Sequence, residues 1–235
     1  MRITKKVLSM LLVIVMVLSL LPVTVFATGE DTVYISISDD AQFVTAPDGT
    51  PMGFYGVTLD ELATIDLDTY GLGDYAYDAD GDGAPEIVAL HLYIYVHEEI
   101  LGLDWSDVYV SGSAGSIYFA GGLFGFCDEN LRYDLNGAYP AVDGWGLTAD
   151  QIVLSDGDFI NVAHYTDWAF WGDSATGFHY FTDIDGNLQH TYELEVGETL
   201  ELGLVRSYSD WMSGGVPAYD PEADFAVYYG VTYGE

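Results

Sequence analysis

The sequence predicts an α+β protein in which a mixed sheet carries one main helix and is followed by a mostly antiparallel β unit. Three observations carry that expectation. "DTVYISIS" (31–38) alternates apolar and polar residues, the period of a half-buried strand. "APEIVALHLYIYVHEEIL" (84–101) is long and largely apolar, with Ile87, Leu90, Ile94 and Leu101 on a helical stripe. After Gly102 the texture changes to short aromatic and β-branched runs separated by Gly, Asn and Asp, which is strand-and-turn composition.

At the N-terminus, Arg2, Lys5 and Lys6 precede an apolar run from Val7, Pro22 breaks it, and Val25-Phe26-Ala27 places small residues at the −3 and −1 positions. This pattern predicts a secretory signal peptide over residues 1–27, cleaved after Ala27. A retained anchor is the alternative, but the apolar core falls short of the roughly 20 residues that span a bilayer comfortably. The expected location is secreted or cell-surface associated. Removing the three basic residues would take the formal net charge from −33 to −36 and leave Arg132 and Arg206 as the basic residues, with no lysine. Such a field repels phosphate backbones and anionic lipid, disfavouring nucleic-acid and membrane-surface partners, and it attracts cations. Aromatic and branched residues are abundant enough for a core, so the acidity is that of a folded protein. The lone Cys127 excludes an intramolecular disulfide and is read as a small buried side chain.

Residues 39–83 show turn residues every few positions and no clear element. The apolar run that follows is ambiguous, since Leu90, Leu92, Ile94 and Val96 also alternate as a strand would; Pro85 and Glu86 suit a helix start, so a buried helix near 86–101 is expected. "DVYVSGS", "SIYFAGG", "LRYDLNG", "DQIVL" and "DFINVAHY" read as strands, and "LSDGDFI" carries an Asp-Gly pair that signals a hairpin. From about Gly177, "GFHYFTD", "HTYELEV", "TLELGLVRS" and "FAVYYGV" form a second set. Four strands do not close an immunoglobulin-like sandwich of about seven. The C-terminal unit therefore either completes itself on the first domain or belongs to a longer protein.

"DENLRYDLNGAYP" (128–140) and "GWGLTADQIVLSDGDFINVAHYTDW" (144–168) resemble the transcobalamin-like C-terminal domain family of secreted Gram-positive bacterial proteins. The matching pieces are Tyr133, Asn136 and Gly137 of a strand and turn, then Leu154, Asp156, Gly157 and Asp158; "ALHLYIYVHE" resembles the family's single helix. The likeness covers roughly residues 31–172. It implies a β-grasp-like domain over 28–172 and a partial immunoglobulin-like unit over 173–235. In animal relatives this domain forms one side of a cobalamin site. Nothing in this chain matches the helical domain that supplies the other side, so cobalamin does not carry over.

"YDADGDGAPE" (77–86) is the sharpest chemical signal. Asp78, Asp80, Asp82 and Glu86 fall at positions 1, 3, 5 and 9 of a loop with Gly83 at 6 and the Ala84 carbonyl at 7. Hard oxygen donors at such spacing suit calcium, which takes 6 to 8 oxygens. An EF-hand would need Glu at position 12, where Ala89 stands; the spacing resembles the calcium loops of integrin-type propeller repeats, of which this chain has one copy. A solvated acidic turn is the other reading, and spacing alone does not choose between them. His91 and His97 with Glu98 or Glu99 are a poor zinc set, better read as helix packing.

Among the aromatics, Trp145, Tyr165, Trp168 and Trp171 are the candidate ligand contacts, "YTDWAFW" (165–171) lying where the two units meet. Three function classes follow. A non-catalytic extracellular binding module for a glycan, peptide or small cofactor fits best. A structural spacer of a longer cell-surface protein is the alternative, and an acid/base hydrolase ranks third, because abundant carboxylates mean nothing without a pair fixed across a cleft.

Overall fold

The structure, a computed structural model, describes residues 31–40, 42–143, 145–165, 179–183 and 197–206. The expected first strand forms as β1 (Thr32–Asp39), and its alternation sorts side chains as predicted: Val33, Ile35 and Ile37 are fully buried. Along one edge it pairs antiparallel with β2 (Gln42–Phe43) and β3 (Tyr55–Thr58). Along the other it runs parallel to β9 (Phe159–His164), which pairs antiparallel with β6 (Leu131–Leu135). The result is a mixed five-stranded sheet with β1 and β9 in the middle.

Parallel neighbours cannot be joined by a tight turn, so the chain between β1 and β9 must cross over. The main helix lies in that crossover. It is α2 (Ala89–Tyr95), and it continues as one π-helical turn, Val96–Ile100, closed by Leu101 N–H donating to the Val96 carbonyl at 2.9 Å. Leu90, Leu92, Ile94 and Val96 join Val33, Ile35, Ile37, Ile160 and Val162 in one core. Both the helical and the alternating pattern were present because nearly every side of α2 is buried, which erases a polar face.

The helix starts three residues later than Pro85-Glu86 suggested. Val88 forms an antiparallel bridge with Val153, Leu154 N–H donates to the Ile87 carbonyl, and Ala89 N–H to that of Ile152. These bonds hold 87–88 extended, and they also correct the expected "DQIVL" strand, of which a single bridge residue remains. The "LSDGDFI" hairpin is corrected too: Asp156-Gly157 is a turn, but its arms do not pair with each other. Thr32 N–H donates to the Asp156 carboxylate at 2.9 Å, and Gly157 N–H donates to the Thr32 carbonyl. The turn thus docks on the start of β1, and the following residues enter the sheet parallel to it.

The weak stretch 39–83 holds β2, β3, α1 (Leu59–Leu62) and two 3-10 turns, Leu67–Tyr70 and Gly73–Tyr75. Thr58 and Glu61 form a reciprocal capping box around α1. β4 (Tyr109–Ser111) and β5 (Tyr118–Gly121) make one hairpin, and β7 (Ala141–Val142) and β8 (Trp145–Gly146) another. On the sheet face opposite Val33 and Ile35, Ser36, Asn161, Arg132 and Asp134 are also buried. Ser36 donates to Asn161, and Arg132 holds Asp134 through a two-pronged pair at 3.2 and 3.0 Å. From the second set, "GFHYFTD" gives β10 (His179–Thr182) and "TLELGLVRS" gives β11 (Gly203–Arg206), paired antiparallel. "HTYELEV" and "FAVYYGV" lie outside the described residues, as does the predicted signal peptide.

Candidate functional site

The acidic loop is built from its own backbone. Its ends are pinned where Glu86 N–H donates to the Tyr77 carbonyl and the Glu86 carboxylate accepts Ala79 N–H, at 2.8 and 2.7 Å. Asp78 accepts Gly81 N–H at 2.7 Å and Gly83 N–H at 2.9 Å, folding the loop around one carboxylate. Gly81 and Gly83 adopt φ of 77° and 92°, conformations that a side chain would strain. Asp80 accepts Asp82 N–H at 3.0 Å, and Asp82 accepts Ala84 N–H at 2.8 Å.

This geometry divides the predicted set. Carboxylate oxygens of Asp78, Asp80 and Glu86 lie within 4.8 Å of one another, while Asp82 turns to cap the exposed Ala84. Three convergent carboxylates supply hard oxygens of the kind calcium or magnesium takes, and nothing soft that would select zinc or copper. One such loop with three acids falls short of a full calcium shell, so water or further carbonyls would have to complete it.

The predicted aromatic contacts also separate. Trp145 is 78% exposed on the β7–β8 hairpin, directly opposite Val142, which is 56% exposed. The hairpin is held from beneath. Tyr139 stacks on Tyr133 with centroids 6.3 Å apart, and a Cβ at Gly146 would come within 2.6 Å of the Tyr139 hydroxyl oxygen. Tyr133 Oη–H donates to the Leu147 carbonyl at 2.8 Å, and Leu147 N–H to that of Pro140. Glycine at 146 is what lets Tyr139 close over the strand. Tyr165, by contrast, is 8% exposed and belongs to the interior. Trp168 and Trp171 lie outside the described residues.

The histidines are engaged rather than arranged for zinc. His91 Nδ1 accepts Val88 N–H at 3.2 Å in the first turn of α2. His97, on the π turn, accepts Phe124 N–H at Nδ1 (3.0 Å) and meets the Asp104 carbonyl at Nε2 (3.3 Å). Its ring also packs edge-on against Trp105, 5.5 Å away. Phe124 has φ 55°, so His97 fixes a backbone that a phenylalanine seldom adopts. Burial pushes both imidazoles below their ordinary 6.5.

Sequence reasoning missed one constellation. His164, at the end of β9, is buried with Nδ1 2.7 Å from Asp39 and Nε2 3.0 Å from Asp128, and it stacks on Phe126 at 4.5 Å. Asp39 and Asp128 are 125 and 36 residues away along the chain, so no local motif announces them. The one available signal was β-pairing, which sets Asp39 level with His164. Cys127, next to Asp128, is exposed, correcting the expected buried thiol. Asp128, not Cys127, occupies the Nε2 side of the ring.

No family model, curated protein or solved structure matches the chain.

Proposed function

We propose that the chain is a secreted, non-catalytic extracellular binding module that contacts its ligand through the Trp145 hairpin, and that the loop at Asp78, Asp80 and Glu86 takes calcium. The observation that carries this reading is the exposure of Trp145 on a hairpin whose backbone is braced by Tyr133 and Tyr139: a large indole face presented to solvent matches the C–H face of a sugar ring. The ligand class it fits best is a glycan. A peptide or small cofactor uses the same surface in other ways. The non-catalytic part is supported by the described histidines: His97 and His164 engage both ring nitrogens within the fold, and His91 engages Nδ1.

The finer fold reading is a β-grasp-like domain over 28–172 and a partial immunoglobulin-like unit over 173–235. Support for the first is the helix in the crossover between parallel β1 and β9; support for the second is the antiparallel β10–β11 pair. The signal-peptide pattern supports secretion. A structural spacer in a longer surface protein remains the second reading, favoured by the burial of Tyr165.

The test is a glycan-array screen of the full chain, followed by titration of hits with wild type and Trp145→Ala. Loss of at least about tenfold in affinity is expected, as for a central aromatic contact. Equal binding by both proteins would remove Trp145 from the site, and the absence of any glycan or peptide hit would leave the spacer reading.

A further inference from the structure

We propose that His164 is a pH-operated brace: as an imidazolium it ties the 127–130 loop to the end of β1, and on losing its proton it lets go of the loop that carries the exposed Cys127. Both ring nitrogens face carboxylate oxygens within hydrogen-bond distance, Nδ1 that of Asp39 and Nε2 that of Asp128. A neutral imidazole has one N–H, so in that form one nitrogen would turn a lone pair against a carboxylate. The doubly protonated ring alone satisfies both sides.

Three chain segments meet at this ring. Asp39 ends β1, His164 ends β9, and Asp128 stands in the loop entering β6; Asp128 also accepts Asn130 N–H at 2.9 Å, and Tyr165 N–H donates to the Asn130 carbonyl at 3.1 Å. Phe126 covers one face of the ring and the His164 side chain is 7% exposed, while the Asp39 and Asp128 carboxylates that hold it keep 54% and 36% of their side-chain surface in solvent. The other charged or titratable groups nearby are Asp40, whose N–H donates to the His164 carbonyl, and Glu129, Tyr118 and Tyr165, which lie close enough to Asp128 to feel one another's charge. No cation competes for the carboxylates among these groups.

The electrostatics agree in sign. Burial alone would lower the His164 value, and Asp39 and Asp128 together outweigh it and hold it above 6.5. Asp128 is held below 3.8, chiefly by Asn130 N–H and with His164 contributing. The brace is therefore fully formed below 6.5, is lost as pH rises through the raised native value, and at the acid end persists until pH falls through that of Asp128.

The test follows the full chain between pH 5 and 9 by NMR titration of the His164 ring and by hydrogen exchange of the 127–130 amides, expressed as protection relative to the unstructured chain. The ring is expected to titrate above 6.5, with protection at Asn130 falling about tenfold or more across the same midpoint. Asp39→Asn keeps the size and removes one charge, so it should move both midpoints down by about one unit; Asp128→Asn should do the same if the first variant folds poorly. Protection that stays flat with pH, a ring that titrates below 6.5, or midpoints that ignore both substitutions would overturn the proposal.

Discussion

His97→Ala should be among the more damaging single changes in the chain, because the ring serves backbone and packing at once. The two hydrogen bonds it makes, to Phe124 N–H and the Asp104 carbonyl, are worth about 1 kcal/mol each, and the Phe124 amide left buried without its acceptor costs about 1–3 kcal/mol. The lost ring also opens a cavity beside Trp105 and Phe124, where large-to-small changes cost about 2–5 kcal/mol. These contributions overlap, and a total loss of about 3–5 kcal/mol is expected. His97→Phe keeps most of the volume and loses the bonds, so it should cost about 1–3 kcal/mol, the hydrogen-bonding share alone. Urea unfolding of the full chain measures both. A loss below about 1 kcal/mol for His97→Ala would refute the assignment of this ring as the support of the Phe124 turn. The pH dependence gives a second reading. Burial lowers the His97 value below 6.5, so the unfolded chain binds a proton that the native chain refuses; this stabilisation is complete above 6.5 and is lost as pH falls through the native value. His97→Ala should flatten that part of the stability profile.

Calcium at 10 mM, a hundredfold excess over a Kd on the order of 10⁻⁴ M, should raise the stability of wild type by about 2.7 kcal/mol and that of Asp80→Ala by much less; equal shifts in thermal melts would make the loop a solvated turn. Asp134→Ala removes one partner of a fully buried pair with Arg132 and should cost about 3–5 kcal/mol in the same melts. Replacing both residues with apolar ones of similar volume should cost far less, and a cost as large for the double change would mean that the polar pair, not its volume, holds that face.

The parts of the fold legible in sequence are those in which one local pattern decides. β1 alternates because the core lies on one side of it, and its odd-numbered residues from Val33 to Ile37 went where the pattern put them. β6 and β9 were similarly plain. Elements fixed by distant partners were not. Asp156-Gly157 has the composition of a hairpin turn, and what redirects it is Thr32, 124 residues away. "DQIVL" has strand composition, but Asp150 is committed to the Gly115 and Ile117 amides, leaving Val153 alone to bridge to Val88. The capping box at Thr58 and Glu61 was readable and sat in a stretch with too few apolar residues to draw notice. For the candidate sites, spacing located the acidic loop but not which acids converge, since Asp82 is drawn off by a neighbouring amide that any aspartate at that place could reach. Exposure separates Trp145 from Tyr165, and exposure depends on the whole fold.

A chain with 38 acidic residues and 5 basic ones cannot satisfy its carboxylates with ion pairs, and the described residues show what replaces them. Asp48, Asp66, Asp80, Asp82, Asp104 and Asp128 each accept the backbone N–H of the residue two places on, so acids act as turn builders. Glu61 does the same work at a helix start. Such bonds act at contact distance and are little affected by salt, whereas the repulsion among all the acids acts over the Debye length of about 10 Å and is screened. Added sodium chloride at pH 7 should therefore raise the melting temperature, the opposite of a fold held by surface ion pairs. Acid acts on the bonds themselves. Amide donors hold Asp48 and Asp128 below the ordinary 3.8 and Glu61 below 4.5, and the Ser106 side chain, followed by its amide, holds Asp104 below 3.8. Their contribution is complete above those ordinary values and disappears as pH falls through the lowered native ones. Thermal melts across pH 2–7 at low and high salt separate the two effects: beyond the loss that buried His91 and His97 impose below 6.5, the salt-dependent repulsion should ease down to about pH 4, and below that stability should drop steeply at either salt. A melting temperature that falls with salt at pH 7 would mean that the few cations, Arg132 and Arg206 among them, carry more of the fold than the carboxylate turns do.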